Sequence, residues 1–157
     1  MPDMIINLYE QDYVQIKQLN ENIEIKRVLA PDRRKIIDFV RHNFDENFVD
    51  ECIASLANNP ITCYIAVKNF NIIGFISYEA TAKNFVGPMG IIAKERGKGI
   101  GKALMLTCLQ SMKEMGYAYA IIGSSSEKNI KFHQKVSNAQ IINTKTQGIY
   151  TRMIETE

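Results

Sequence analysis

The chain has 157 residues, of which 46% are hydrophobic and 23% are charged, and its formal net charge at pH 7 is +2. A chain of this length buries roughly two thirds of its unfolded surface, which predicts a single domain over residues 1–157. The small net charge argues against a nucleic-acid partner, because nucleic-acid-binding surfaces carry a clear basic excess.

The cysteines and the first residues bear on metal binding and on location. Cys52, Cys63 and Cys108 are widely spaced and the chain has only two histidines, so a structural zinc site is not expected. Free thiols are typical of a reducing compartment. The start lacks the basic and apolar regions of a signal peptide, and no run approaches the roughly 18 apolar residues of a membrane span. We therefore expect a cytoplasmic protein with no metal and no membrane partner.

The first half of the chain predicts strands and helices in alternation. Residues 1–22 are interpreted as an extension, a short strand and then a helix, packed on the domain and able to support a homodimer. The alternation in residues 23–29 predicts a strand. Two apolar stripes at helical spacing, within residues 36–44 and 48–56, predict two helices, and the second is stopped by Asn58-Asn59-Pro60.

The middle of the chain predicts a hairpin and a broken strand. Residues 61–67 and 72–78 are rich in β-branched residues, and the turn at 69–71 joins them as a hairpin. Residues 85–92 predict another strand. Gly87-Pro88 interrupts it, and a proline that cannot donate to a sheet indicates an edge or a bulge.

The last third predicts two helices and three strands. A helix should end at Gly116, a suitable C-terminal cap, and the apolar run 117–122 predicts a central strand buried on both faces. Ser124 and Glu127 have the spacing of a capping box for a helix through Val136. Residues 139–143 and 149–154 are predicted to close the chain as a hairpin.

The segment 94–105, KERGKGIGKALM, places glycines between a strand and a helix. Unpaired amides and the helix dipole at such a point favour an anion, and glycine lets a phosphate approach the main chain. The spacing fails the P-loop, because Ala103 follows Gly101-Lys102, and it fails the dinucleotide fingerprint as well. The alternative is a glycine-rich turn with solvated lysines.

The pattern Arg96-x-x-Gly99-x-Gly101 resembles the acetyl-CoA motif Gln/Arg-x-x-Gly-x-Gly/Ala of the GNAT superfamily of N-acetyltransferases. "GPMGIIAKERGKGIGKALM", "YAYAIIG" and "FHQKVSNAQII" resemble the surrounding family segments, and the likeness covers about residues 23–154. It implies an α+β fold with a central, mixed but mostly antiparallel sheet. That sheet would have about six or seven strands, a splay between its fourth and fifth main strands and about four flanking helices.

The resemblance implies acetyl-CoA as cosubstrate. The loop amides would cradle the pyrophosphate, nearby cations would add charge, and the strand before the loop would pair with the pantetheine arm. The alternative is a bulge that serves only sheet curvature. The implied cofactor-binding residues are Gly90, Ile91, Ile92, Arg96, Gly97, Lys98, Gly99, Ile100, Gly101, Lys102, Asn129 and Phe132.

The residues at the family's catalytic positions depart from the usual family pattern. His133 stands where the family usually has the tyrosine that protonates the leaving thiolate, and with an ordinary pKa near 6.5 about a quarter of it would be protonated at pH 7. The alternative is a surface histidine with water as the acid. Glu79 is a candidate general base, against the alternative of a solvated carboxylate at a strand end. Asn138 replaces a family glycine in a turn that asparagine tolerates.

The resemblance implies that the acceptor is a primary amine of a small molecule, an amino acid or a peptide, which attacks acetyl-CoA directly in a ternary complex. Tyr78 and Tyr150 are predicted to face its pocket, and Asp45, Glu46 and Glu51 edge it and would suit a cationic substrate. Without a strong base, an α-amine is the easier acceptor, since it costs about 1 kcal/mol to deprotonate at pH 7 against roughly 4–5 kcal/mol for a lysine-type amine. The rival function is a catalytically silent acetyl-CoA sensor or interaction module.

Overall fold

The computed structural model describes residues 1–20 and 22–154. Glu21 and residues 155–157, which belong to the predicted extension and domain, lie outside the described residues. Across the described residues the chain forms seven strands and four α-helices. The strands are β1 (Met4–Asn7), β2 (Ile23–Arg27), β3 (Cys63–Lys68), β4 (Asn71–Tyr78), β5 (Val86–Ile91), β6 (Tyr119–Ile122) and β7 (Gln140–Ile141). The helices are α1 (Arg33–Asn43), α2 (Glu46–Leu56), α3 (Ile100–Glu114) and α4 (Glu127–Ser137). Short 3-10 helices span Tyr13–Gln18, Ala30–Asp32, Ala93–Glu95 and Gly148–Arg152.

The strands form two antiparallel sheets. One has the order β2-β3-β4-β5, and the other has the order β6-β1-β7. With the helices packed on them they make an α+β fold, as the sequence predicts. Among the described residues, no helix has both the length and the apolar character that crossing a membrane requires.

The two sheets meet at one point and then separate. Phe85 and Ile121 form an isolated parallel bridge, and the Ile121 amide donates to the Asn84 carbonyl at 2.9 Å. Beyond it β5 and β6 part, which confirms the predicted splay between the fourth and fifth main strands. The β4–β5 register shifts between Ile76 and Tyr78 and leaves an extra residue at Gly87-Pro88, as expected where proline removes a donor.

The core lies on both faces of the four-stranded sheet. On one face α3 packs Leu104 and Leu109 against the sheet together with Met4 and Ile6 of β1. On the other face α1 and α2 bury Ile36, Val40 and Cys52 around Phe75 of β4. Asp45 begins α2 by accepting a hydrogen bond from the Phe48 amide at 3.0 Å. That cap fixes where the second helix leaves the first.

Several element predictions are wrong. Residues 148–152 form a 3-10 helix instead of a strand, because β7 pairs with β1 and not with the last residues. The strand predicted over 117–122 is not central. β6 is an edge strand, and Tyr119 on its outer face is 50% exposed.

The ends of α4 show which cap signal is used. Ser126, not Ser124, caps the helix and accepts from the Asn129 amide at 3.4 Å. Ser124 has a φ of +51° and its amide donates to Asp3, so it is not available as the cap. At the other end Asn138 has a φ of +55°, which confirms that asparagine takes the left-handed position. Gly116, with a φ of +105°, follows α3 as predicted.

Candidate active site

The glycine loop connects the 3-10 helix Ala93–Glu95 to α3. Gly97 and Gly99 have φ angles of +80° and +81°, which glycine adopts without the clash that a Cβ would cause. Gly99 is the N-cap residue of α3 and brings no side chain to the helix start. The loop therefore presents bare main chain at the positive end of a helix.

The loop amides are free to bind a ligand. In the part of the chain that the structure describes, the amides of residues 97–102 have no protein acceptor, and pairing resumes where Ala103 donates to the Gly99 carbonyl at 3.1 Å. Residues 96–99 are exposed. Free, accessible amides of this kind can hold an anion.

The cations around the loop are not equivalent. Glu95 is only 6% exposed and accepts hydrogen bonds from Lys98 at 2.8 Å and from Lys68 at 3.1 Å. These lysines, Lys98 first, lower the pKa of Glu95. The Arg96 Nε donates to the Ile91 carbonyl at 3.1 Å. Part of the Lys98 charge is therefore neutralised within the protein, while Arg96 is held beside the loop.

A cleft of about 370 Å³ opens where β5 and β6 separate. Its walls are residues 85–89, the end of β6 with the loop after it, α4, and the start of α2. A Cβ added at Gly101 would lie 3.3 Å from the Phe132 ring and 3.5 Å from the Met89 methyl group, and both side chains line the cleft. The glycine loop and the cleft are therefore adjacent.

Six residues that the sequence predicts at the site line this cleft: Asp45, Glu51, Asn129, Phe132, His133 and Tyr150. His133 is 8% exposed, and its Nδ1 is buried with no hydrogen-bond partner among the described residues. Burial lowers its pKa to about 4. At pH 7 the ring is therefore almost wholly unprotonated, rather than about a quarter protonated as an ordinary histidine would be. His133 therefore meets the cleft as a neutral imidazole.

Tyr150 closes one side of the cleft. Its hydroxyl packs directly over Gly123, where any side chain would overlap it. Burial first, and then the charges of Glu51 and Asp3, raise the pKa of Tyr150 to about 12. The phenol therefore keeps its proton at neutral pH.

The predicted pantetheine-binding residues lie beside the cleft lining rather than in it. Gly90 pairs with Phe75 of β4 and is covered by the Phe44 ring, and the Ile92 amide donates to the Ile73 carbonyl at 3.0 Å. The cleft follows β5 at residues 86–89 instead. The role of residues 90–92 stays a prediction.

Tyr78 and Glu79 line a second cleft, on the side of the sheet where α3 ends. The Tyr78 hydroxyl accepts from Arg27 at 2.7 Å and the side chain is 1% exposed. Glu79 accepts from the Asn84 amide at 2.6 Å and from the Tyr117 hydroxyl at 3.1 Å. The structure thus does not bring these two residues together with His133 and Tyr150.

Sequence reasoning missed several polar residues of the first cleft, among them Asn47, Thr81 and Ser125. Thr81 donates its hydroxyl to Glu51. Ser125 is 3% exposed, and its Oγ has no partner among the described residues. Thr81 lies in a turn without a motif. The serine run 124–126 signals only the start of a helix, so neither Thr81 nor Ser125 had a local signal for a site.

The family model for acetyltransferases of the GNAT type matches residues 20–137, more than half of the chain. The chain belongs to the GNAT family of acetyltransferases. The resemblance drawn from the glycine motif is thereby confirmed. No significant match was found among curated proteins.

Solved structures share the GNAT fold at low identity. A fungal multi-domain β-N-acetylglucosaminidase with a glucosamine N-acetyltransferase region is 16% identical, with a TM-score of 0.72, over 90% of this chain and 19% of that protein. An N-acetyltransferase from Sphaerobacter thermophilus is 17% identical, with a TM-score of 0.69, over 90% and 48%. A GNAT acetyltransferase from Brucella melitensis in complex with acetyl-CoA is 16% identical, with a TM-score of 0.53, over 72% and 82%. This chain thus spans less than half of the first two proteins.

Proposed function

We propose that this GNAT chain transfers the acetyl group of acetyl-CoA to a primary amine of a small molecule, an amino acid or a peptide. The observation that carries the proposal is that the free amides of residues 97–102 adjoin the cleft, with Gly101 beside Phe132 and Met89. A diphosphate with a narrow arm attached needs both an anion site and a slot next to it. In this chain the anion site at the glycine loop and the cleft between β5 and β6 lie next to each other.

The residues of the loop and cleft fit that cosubstrate. The amides of Gly97, Ile100 and their neighbours would hold the phosphates, and Arg96 and Lys102 would add charge. Lys98 adds less, because it is paired with Glu95. Asn129 and Phe132 stand on the α4 wall, where the arm would pass.

Acetyl-CoA supplies a thioester carbonyl. During transfer a C–N bond forms and the C–S bond breaks, while the amine loses one proton and the sulfur gains one. Neutral His133 and the hydroxyl of Ser125 offer hydrogen bonds within the cleft. Glu79 is assigned no proton transfer, because both of its carboxylate oxygens are already bonded outside this cleft.

A second candidate is a GNAT protein that binds acetyl-CoA without turning it over. It is favoured by His133, which stands at the usual tyrosine position and is uncharged at neutral pH. Release of CoA in the presence of a panel of amines separates the candidates, since a sensor binds the cosubstrate and releases none. A cytoplasmic location and a homodimer stay predictions from the sequence.

The loop is tested by replacing one of two matched glycines of α3. Gly99 and Gly116 stand at opposite ends of the helix, both have positive φ, and neither has a heavy atom near an added Cβ. Each alanine variant is strained by about 1–2 kcal/mol. Gly99→Ala also disturbs the free amides, so we expect it to weaken CoA binding in calorimetry by roughly tenfold or more.

Gly116→Ala is the control and should bind CoA as the wild type does. Equal affinity for the two variants would place the phosphates elsewhere. Absence of CoA binding to the wild-type protein would remove both candidate functions.

A further inference from the structure

The cleft is acidic. Of its lining side chains, Asp45 and Glu51 carry negative charge, and within the described ranges 1–20 and 22–154 none is lysine or arginine. Met1 also lines the cleft; its side chain is uncharged and the residue is 82% exposed. The acceptor end of the cleft is therefore suited to a cation and unsuited to a carboxylate.

Glu51 is held in place while one of its oxygens is left for a ligand. It is half-buried on α2, and the Thr81 hydroxyl donates to its Oε2. No hydrogen bond is found for its Oε1 among the described residues. Burial, and then the nearby charges of Asp45 and Asp50, raise the pKa of Glu51. A half-buried carboxylate beside like charges is stabilised by a bound counter-cation.

Helix α4 and the loop before it supply two buried polar atoms that have no hydrogen-bond partner among the described residues. Ser125 is 3% exposed and His133 is 8% exposed, and both line the cleft. Ser125 Oγ and His133 Nδ1 make no hydrogen bond in the part of the chain that the structure describes. Buried polar atoms are normally paired, so these two indicate a ligand. A hydroxyl oxygen accepts N–H donors, and so does a ring nitrogen of a neutral imidazole in the tautomer that leaves it unprotonated; an amine or ammonium group provides such donors.

We propose that the acceptor carries a second cationic group, as an α,ω-diamine does, and that Glu51 selects it by pairing with that group. The inference rests on the proposed acetyl transfer and narrows its substrate class. It reverses the sequence-based preference for an α-amine of an amino acid or peptide. A free amino acid would bring a carboxylate toward Asp45 and Glu51, and like charges repel.

A diamine also lowers the free-energy cost of deprotonation, which is the reason that the sequence favours an α-amine. The deprotonation of an alkyl amine is costly at neutral pH when no strong base is present. In a diamine the second positive charge disfavours the charged form of the first amine and lowers its pKa. The free diamine therefore costs less to deprotonate than a monoamine, before Glu51 pairs with its second charge.

The test uses three acceptors of equal chain length: 1,4-diaminobutane, butylamine and 4-aminobutanoate. They end in a cation, a methyl group and an anion. We expect kcat/KM to fall by roughly tenfold from the diamine to the monoamine, the size expected of a hydrogen bond to a charged group. It should fall again for 4-aminobutanoate.

Glu51→Gln removes the charge and keeps the shape, and it should reduce the ratio of diamine to monoamine kcat/KM by roughly tenfold. The matched control is Glu114→Gln, the same substitution at an exposed side chain of α3 outside this cleft. This control should keep the wild-type ratio. A ratio that is unchanged in Glu51→Gln, or equally reduced in Glu114→Gln, would overturn the selection by Glu51.

Calorimetry separates this inference from the proposed reaction. The same three amines are titrated into the wild-type protein saturated with CoA. Tighter binding of the diamine without turnover would support the inference and count against the enzyme. Turnover with three equal kcat/KM values, tighter binding of 4-aminobutanoate, or no binding of any amine at millimolar concentration would overturn the inference.

Discussion

Two histidines of the chain lie in opposite surroundings. His133 is buried on the inner side of α4, whereas His42 is exposed on α1. Burial lowers the pKa of His133 to about 4, while an unfolded histidine titrates near 6.5. Between these pH values the histidine binds a proton in the unfolded chain but not in the folded protein. The contribution of His133 to stability is therefore complete above pH 6.5 and is lost as the pH drops through 6.5 toward 4.

We expect His133 to make the free energy of unfolding fall by up to about 3 kcal/mol between pH 6.5 and 4. His133→Gln, which does not titrate, should remove that part of the pH dependence in urea unfolding followed at several pH values. His42→Gln is the matched control and should keep the wild-type slope. Parallel curves for wild type and His133→Gln would show that the folded protein accommodates the charged ring.

The candidate site residues that the sequence predicts belong to continuous segments. Gly97, Gly99 and Gly101 are predicted because a glycine loop is formed by consecutive residues, and Phe132 and His133 because they occupy one family segment. The hydrogen bond between Thr81 and Glu51 was harder to predict, since it joins a turn and a helix that are thirty residues apart. Only the tertiary fold makes such a pair, so neither spacing nor periodicity predicts it.

At the scale of elements, one glycine lets α1 and α2 close on β5. Gly90 lies opposite Phe75 in the sheet, and the Phe44 ring occupies the space where a side chain of residue 90 would stand. That ring packs against Phe39, Phe48 and Phe75, with centroids 5.8, 5.8 and 5.6 Å away. The junction between the two helices is therefore already full.

Gly90→Ala should destabilise the protein by about 1–3 kcal/mol, because the methyl group overlaps the Phe44 ring in a packed core. Phe44→Leu removes that ring and makes room for the methyl group. We expect the double variant to be more stable than the sum of the single changes, by about 0.5–3 kcal/mol in a double-mutant cycle followed by urea unfolding. Additive free energies would mean that the ring moves aside without cost.

Elements with a strong periodic pattern were predicted well, and weak ones were not. The stripes of α1 and α2 and the hairpin β3–β4 carry enough apolar residues to specify type and place. The predicted final strand instead became the 3-10 helix Gly148–Arg152, since β1 already occupies the pairing edge of β7. A strand depends on a partner that a local pattern does not reveal.

The first residues of the chain connect distant parts of the molecule through strand pairing and hydrogen bonds. β1 is the middle strand between β6 and β7. The main-chain amide of Ser125 donates to the Pro2 carbonyl at 2.8 Å, that of Ser124 to the Asp3 carboxylate at 2.8 Å, and that of Ile142 to the Asp3 carbonyl at 2.9 Å. These contacts place the start of the chain beneath the α4 wall of the cleft. The sequence predicts only an extension here, because the strands that pair with β1 lie more than 100 residues away along the chain.

A substitution in β1 should therefore affect the whole protein. Ile6 is 0% exposed and belongs to the core that β1 shares with α3, so Ile6→Ala should lower the free energy of unfolding by about 2–5 kcal/mol. Val14, in the same predicted extension but 71% exposed, is the control, and Val14→Ala should stay within about 0.5 kcal/mol of wild type. Urea unfolding of both variants measures the difference. A cost for Ile6→Ala as small as that of the control would mean that the first strand is peripheral, whereas the large cost follows directly from its place at the centre of a sheet.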